Sequence, residues 1–396
     1  MSGLQMNYAP IRSRQGELVE AAESLGDVLK ARACDAELNR RLSPETMADL
    51  FANGLLGYFV PARFGGSELD WGAQIHIGRA LAHHCGSTAW IGGVVGSHAL
   101  YIGRMDPRAQ DDVWGAGANV LVSTGSVMRD VTVETLAGGY RLSGRWSFCS
   151  GVDHASWALL RASPSGDHRQ SYFLIPRADF AIEDDWFVSS MSGSGSKSVL
   201  VKDVFIPDYR VLSMADMMAP SPPGAQANAH YLYSGSFRPF SGSNLMGPIL
   251  GGAEAVLFEF ERMMATGEGG VDASDVQWQL TYAEAAAEIS AAEQLINLMI
   301  RTQTRYGSVG LPIPKAERIA VVRDRTYAAR LCLNGATRLV TGLSADSVLK
   351  DAPIQRMFRD LQGMMQQIGV NWDRNMINCA KASLDMNTDI PELNAD

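Results

Sequence analysis

Three serines, one histidine and two tryptophans crowd into the stretch Gly144-Arg-Trp-Ser-Phe-Cys-Ser-Gly-Val-Asp-His-Ala-Ser-Trp157. A strand that only fills a core needs apolar alternation and nothing more. This one carries hydroxyls, which both donate and accept hydrogen bonds, beside flat indole faces. A second segment of similar character, Trp186-Phe-Val-Ser-Ser-Met-Ser-Gly-Ser-Gly-Ser-Lys-Ser198, runs into the strand-like residues 199–207. Together they suggest two walls of a site for a planar ring such as a flavin. Trp146 and Phe148 fall on one side of an alternating strand, where they either wall that site or fill the core behind it. Ser194 and Ser196 sit among glycines, so amides and hydroxyls there can meet a ring edge. Ser123-Thr124-Gly125, ending the short strand 120–122, offers a further polar contact or an ordinary turn.

Other chemistries are thinly represented. The chain has no His-Glu-x-x-His, no phosphate loop and no Gly-x-Gly-x-x-Gly after a strand. His83-His84-Cys85 looks like a ligand cluster, yet adjacent residues on a helix point in different directions, so no metal is expected. Cysteines 34, 85, 149, 332 and 379 are dispersed without Cys-x-x-Cys spacing, which fits reduced thiols. A net charge of −9 argues against a nucleic-acid partner. No apolar run of about 18 residues and no basic-then-apolar leader pattern exists, so no membrane partner is expected and the chain is read as cytoplasmic.

The elements that must position these residues change character along the chain. Its 396 residues, 46% hydrophobic and 19% charged, can bury a large core in two or three domains. Helical periodicity covers residues 17–32, 44–52 and 73–84, followed by the apolar, glycine-containing run 89–101, with 61–66 as a loop. From about residue 119 the pattern alternates. Residues 131–136 and 140–148, joined by Gly138-Gly139, predict a hairpin, with further strands at 157–162, 171–176 and 198–207. Residues 215–245, rich in Pro, Ser, Gly and Ala, are too long for an ordinary connection and predict a lid or binding loop. Long helices follow over 249–266, 275–304, 314–341 and 352–382, a bundle. The expected class is α+β: a helical domain 1–116, a central β-barrel or sandwich 117–212, and a C-terminal bundle 213–396 that includes the loop. The apolar faces of the last helices exceed what one bundle needs and predict packing against identical subunits.

That order resembles the acyl-CoA dehydrogenase fold. The marks are Cys85-Gly-Ser-Thr-Ala-Trp90, Val95-Gly-Ser-His98, residues 146–157, residues 193–207 and Ala352-Pro-Ile-Gln-Arg-Met-Phe-Arg-Asp360. The closer similarity, over residues 42–373, is to the oxygenase component of two-component flavin-dependent monooxygenases, group D, which includes p-hydroxyphenylacetate and steroid-ring hydroxylases. The resemblance implies reduced FMN or FAD, supplied by an NAD(P)H-dependent flavin reductase. That flavin reacts with O2 to a C4a-hydroperoxide, whose distal oxygen passes to the substrate. The cofactor does the hard step while the protein binds, orients and excludes water. Also implied are a hydroxyl beside flavin N5, matched by Ser150, and a substrate-side histidine, matched by His98. Thr124 matches a polar contact to flavin or substrate. Trp90, Trp146, Trp186, Ser194 and Ser196 complete the cofactor-binding set, with His154 in a structural role. On the plainer reading Ser150 ends a strand, and Trp90 and His98 are helix core. Arg262, Arg301 and Arg305 are candidates for a flavin phosphate, and the group's tetrameric assembly implies a homotetramer.

One departure bears on the chemistry. Phenol hydroxylases of this group carry a histidine eight residues after the Arg of the Arg-Asp pair, as base on the phenol. Arg359-Asp360 is present, but position 367 is Gln and no histidine follows His230. Gln367 donates and accepts hydrogen bonds yet takes no proton at neutral pH, and base help is worth about 10²–10⁴-fold. Either His98 supplies it, or the substrate is an electron-rich heteroaromatic such as indole, oriented by Gln367 and needing no deprotonation. The expected reaction is hydroxylation or epoxidation of a small aromatic or heteroaromatic molecule, with N- or S-oxygenation as alternatives. An acyl-CoA dehydrogenase proper would need a C-terminal aromatic-Arg-Glu-Gly segment, which is missing, and Glu284 reads as bundle surface. A non-catalytic scaffold would leave the polar strands unexplained.

Overall fold

Ser13 and Ser43 start two of the first helices by accepting hydrogen bonds from Gly16 N–H and Thr46 N–H, satisfying amides that the helix leaves free. In the computed structural model, which describes residues 13–164, 170–228, 230–236, 242–350 and 352–394, seven helices make the N-terminal layer. They are α1 (Arg14–Ser24), α2 (Gly26–Asn39), α3 (Pro44–Ala52), α4 (Ala73–Ala82), α5 (Gly86–Ala89), α6 (Ala99–Gly103) and α7 (Pro107–Trp114). The single helix expected over 17–32 is two, because the chain turns at Leu25 and Gly26 packs directly under the His84 ring. The run 89–101 is not one α-helix either. Trp90–Val95 form a π-helical turn and Gly96–His98 a 3-10 turn before α6. The Tyr58 hydroxyl sits 2.9 and 3.0 Å from the carbonyls of Gly92 and Gly93, giving the wide turn a donor.

Eight strands follow: β1 (Val122–Gly125), β2 (Val127–Leu136), β3 (Gly139–Cys149), β4 (Trp157–Ala162), β5 (Ser171–Pro176), β6 (Ala181–Glu183), β7 (Lys197–Pro207) and β8 (Val211–Ser213). They build two four-stranded sheets ordered β1-β4-β5-β8 and β2-β3-β7-β6. Alternation divides the residues of the first sheet. Ala158, Leu160, Phe173 and Ile175 meet Leu142, Trp146 and Val199 between the sheets, while Leu159, Tyr172 and Leu174 face the helical layer. That second face carries the site.

Within the predicted 215–245 loop, where residues 229 and 237–241 lie outside the described set, α8 (Met214–Met218) and α9 (Tyr231–Ser234) form. Buried Arg104 ties this segment down by donating to the carbonyls of Met217, Ala219, Leu232 and Gly235, and burial lowers its pKa to about 9. The bundle consists of α10 (Met246–Thr266), α11 (Val276–Gly307), α12 (Lys315–Val340), α13 (Pro353–Met364) and α14 (Trp372–Ser383). Gly247 and Gly251, one turn apart, let α10 lie against α4; a Cβ there would come within 2.3 and 2.2 Å of the Ile75 and Arg79 carbonyl oxygens. The continuous helix expected over 352–382 breaks at 365–371. Gly369 seats on Leu245, and Asn371 caps α14 by accepting from Arg374 N–H. No described helix is long and apolar enough to cross a membrane.

Candidate active site

β3 changes face before it ends. Trp146 pairs with Val199 and Cys149 with Lys197, so β3 spends one more residue than β7 on the same span. The extra residue is absorbed by Phe148 at φ +63°, and Gly151 follows at φ +67°. Such a bulge re-aims the side chains beyond it. It also corrects the expectation that Trp146 and Phe148 share a side. Trp146 is 0% exposed between the sheets, its indole N–H donating to Arg161 O at 2.8 Å, and cannot wall a cofactor site. Phe148 is 59% exposed and meets Trp186 edge-on, ring centroids 5.9 Å apart.

Past the bulge, Ser150 points at the π-helical turn. Its Oγ accepts from the Trp90 indole N–H at 3.1 Å and shares a hydrogen bond with Ser196 Oγ at 2.7 Å, which shares another with Ser194 Oγ at 2.8 Å. Ser123 Oγ donates to Ser150 O, and Gly151 N–H to Ser194 O, fixing the backbone on both sides. Three hydroxyls joined by two bonds use two of their three hydrogens. When Ser194 donates to Ser196 and Ser196 to Ser150, the uncommitted hydrogen lies on Ser150, the half-buried end of a chain whose other members are buried.

The loop that delivers Ser194 and Ser196 is held from behind. Trp186 Nε1–H donates to Met191 O at 3.3 Å, and Met191 itself sits at φ +57°, a left-handed conformation that a non-glycine residue adopts only when held. The restraint is Asp360: its carboxylate accepts from Met191 N–H at 2.6 Å. Burial, against the opposing pull of that amide, pushes its pKa up to about 6. Arg359 donates to Ser189 O and pairs with Glu37 of α2 at 2.7 Å. Sequence reasoning used Arg359-Asp360 only as a register mark and missed this role.

His98, buried, stands over the end of β1. Its Nδ1 lies 2.8 Å from Val122 O, an acceptor only, so Nδ1 carries the proton in the neutral ring and Nε2 is left as an acceptor 3.3 Å from Thr124 Oγ1. Burial, partly offset by the Val122 bond, lowers the pKa to about 4. His154 reaches Leu42 O at 3.0 Å, tying the strand exit to the helical layer.

The structure thus gathers Trp90, Ser150, Ser194 and Ser196, and separately His98 with Thr124; Trp186 braces the loop. Gln367 joins neither group. The break after α13 takes it off the helix on which its register was counted, and it lies exposed on the turn, with no side-chain bond to His98, Thr124 or the serines among the described residues. Arg262 is paired with Glu259 and Glu268, and Arg305 with Glu317, so these two are committed on the bundle surface. Arg301 is exposed.

The chain matches the acyl-CoA dehydrogenase N-terminal domain over residues 16–110 and the acyl-CoA dehydrogenase C-terminal domain over residues 245–372. It is 32% identical over 359 residues to the flavin-dependent monooxygenase oxygenase subunit HsaA of Mycobacterium tuberculosis, covering 88% of this chain and 91% of that protein. It is 28% identical to the oxygenase component of FADH2-dependent resorcinol hydroxylase from a Rhizobium species, covering 90% and 91%. The crystal structure of 3-HSA hydroxylase from Rhodococcus sp. RHA1, 27% identical, superposes with a TM-score of 0.89 over 94% of this chain and 97% of that one.

Proposed function

The chain belongs to the oxygenase subunits of flavin-dependent monooxygenases, and from that premise we propose that it places one oxygen atom of O2 on a small aromatic or heteroaromatic molecule at the face formed by β1, the β3 exit and the Trp90–His98 turns. The observation that carries this reading is the serine chain with its one uncommitted hydrogen. A flavin ring presents nitrogen and oxygen atoms at its edge, and the donor set fits it, since every member is neutral and Ser150 has a hydrogen to give. Ser150, backed by Ser194 and Ser196, would hold that edge, with Trp90 beside it and Thr124 toward the substrate. Bound reduced FMN or FAD supplies, with O2, the electrophilic oxygen. Apolar packing around the hydroxyls keeps water from the ring.

His98 sets the substrate side. With its pKa near 4 the ring is neutral at pH 7, and Nε2 accepts a hydrogen bond from a phenol O–H or a ring N–H. A base that weak orients the donor more than it removes the proton, since base catalysis is best served by a pKa near the working pH. This favours an electron-rich, indole-like ring that attacks without prior ionisation, with Gln367 outside the reacting group. By analogy with the FADH2-dependent relative, a separate NAD(P)H-dependent reductase supplies the flavin. Exposed Val276, Leu280 and Leu298 on α11, with Tyr327 on α12, support packing of copies into a homotetramer. Five unpaired cysteines support a reducing, cytoplasmic setting.

Anaerobic titration with reduced FMN and with reduced FAD, followed by mixing with O2, tests the reading. The protein should bind one of them, slow the return of oxidised flavin and suppress peroxide release. Reoxidation at the free-flavin rate with both would overturn it.

A further inference from the structure

Three bonds join the β3 exit to the turn that precedes β7. Ser150 Oγ meets Ser196 Oγ at 2.7 Å, Gly151 N–H donates to Ser194 O at 2.8 Å, and Lys197 Nζ donates to Asp153 Oδ1 at 3.0 Å. The first belongs to the serine chain. The third is an ion pair whose two side chains are only 8% and 11% exposed. Lys197 directly follows Ser196, and Asp153 lies three residues after Ser150, so the pair ties the two hydroxyl-bearing walls to each other. Asp184 lies 3.2 Å from the same ammonium and is itself held by both Nη atoms of Arg40 at 2.8 and 2.6 Å, which anchors Lys197 to the end of α2 as well.

Gly195, between the two serines of the turn, adopts φ +53° and sets the directions of Ser194 and Ser196 relative to each other. Asp153 Oδ2 stands against it: a Cβ there would come within 3.0 Å of that oxygen and 3.3 Å of Arg40 O. That oxygen is buried and has no hydrogen-bond partner among the described residues. An orphan acceptor on a buried carboxylate is costly and calls for a reason beyond neutralising Lys197, which one oxygen already does.

We infer that Lys197 and Asp153 are positioning residues for the flavin reaction: their pair keeps Ser196 within reach of Ser150, so that the hydrogen of Ser150 stays uncommitted. This rests on the function proposed above and adds two residues to its machinery. In the test, protein carrying reduced FMN or FAD, whichever it retains, is mixed with O2 and the return of oxidised flavin is timed. Lys197→Met combined with Asp153→Asn removes both charges and nearly keeps the shape, and neutral replacement of a buried pair need not cost stability. This variant should unfold near the natural temperature yet return oxidised flavin about five- to tenfold faster, the worth of about one hydrogen bond. Lys197→Arg, which keeps the charge, should stay within about twofold of the natural rate. In a Ser150→Ala background the neutral pair should add less than about twofold, because it acts through that hydroxyl. A natural rate in the neutral variant overturns the inference, and so does the same gain in rate with and without the Ser150 hydroxyl. Lys197→Arg as fast as the neutral variant overturns it too, and failure of the neutral variant to fold does so by assigning the pair to stability alone. In all these cases the proposed function stands, since the natural protein still slows reoxidation. Reoxidation at the free-flavin rate by the natural protein itself removes both readings.

Discussion

The two sides of the loop around Met191 use opposite chemistry. The side proposed to face the flavin is neutral: Ser150, Ser194 and Ser196 with the Trp90 indole. The side facing the bundle is charged: Asp360 on Met191 N–H, Arg359 on Ser189 O and Glu37. Hydroxyls reverse donor and acceptor by rotating, so a neutral wall adapts to a ring whose protonation changes. A charge in the same dry place would carry a large desolvation cost. Behind the loop Asp360 bears that cost as a raised pKa, and the hydrogen bonds of Asp360 and Arg359 supply the stiffness needed to hold Met191 in a conformation costing about 1–3 kcal/mol. Geometry is fixed from the charged side and chemistry is left to the neutral one.

The largest expected effect tests the charged side. Asp360 has a pKa raised from 3.8 to about 6, so its contribution to stability is fully present below about pH 3.8 and is lost as pH rises through 6. The difference corresponds to about 3 kcal/mol at pH 8. Asp360→Asn keeps an acceptor for Met191 N–H and removes the buried charge. Denaturant unfolding should show little difference from the natural protein near pH 4 and a gain growing toward about 3 kcal/mol at pH 8. A constant difference across pH would mean that the carboxyl does not titrate in this range.

Trp146 separates the ring-facing wall from the strand that bears it. It belongs to the same motif as Ser150 but lies in the core, so Trp146→Phe should cost about 2 kcal/mol in unfolding through lost volume and a lost bond to Arg161 O. Reduced-flavin affinity and reoxidation should not change. Ser150→Ala reverses the pattern: stability falls little, while peroxide release per flavin turned over rises about tenfold, the loss of one good hydrogen bond. If both variants disturb flavin chemistry equally, the neutral wall extends into the strand core and the comparison fails.

Much of this organisation was legible in the sequence. The predicted strands 157–162 and 171–176 coincide with β4 and β5, because short apolar runs there are bounded by Ser, Asp and Pro. The α+β, acyl-CoA dehydrogenase-like class is correct, as both family domains match. What escaped is long-range or depends on a single backbone angle. Nothing in Trp-Ser-Phe announces that Phe148 will adopt φ +63° and leave the side on which Trp146 lies. Asp360 was visible as a motif, but its partner Met191 lies 169 residues away and offers only a backbone amide. Gln367 was counted along a helix that ends at Met364, and the determinant of that break, Gly369 on Leu245, is a tertiary contact.

The smallest expected effect sharpens the comparison most, because it leaves every hydroxyl in place. Trp90→Phe removes the indole N–H that Ser150 Oγ accepts at 3.1 Å, along with part of the ring, and touches none of the three serines. That bond occupies one lone pair of Ser150 and so favours the arrangement in which its hydrogen points away from Trp90. Without it Ser150 can turn, and the neutral wall loses its preferred polarity while keeping all three hydroxyls. One hydrogen bond between neutral groups is worth about 1 kcal/mol net, so peroxide release should rise about fivefold, less than for Ser150→Ala. Combining the two substitutions should add nothing to Ser150→Ala alone, since Trp90 would act through a hydroxyl that is no longer there. Additive losses in that double variant would show instead that Trp90 touches the flavin by itself and that the serine chain is not polarised by its indole.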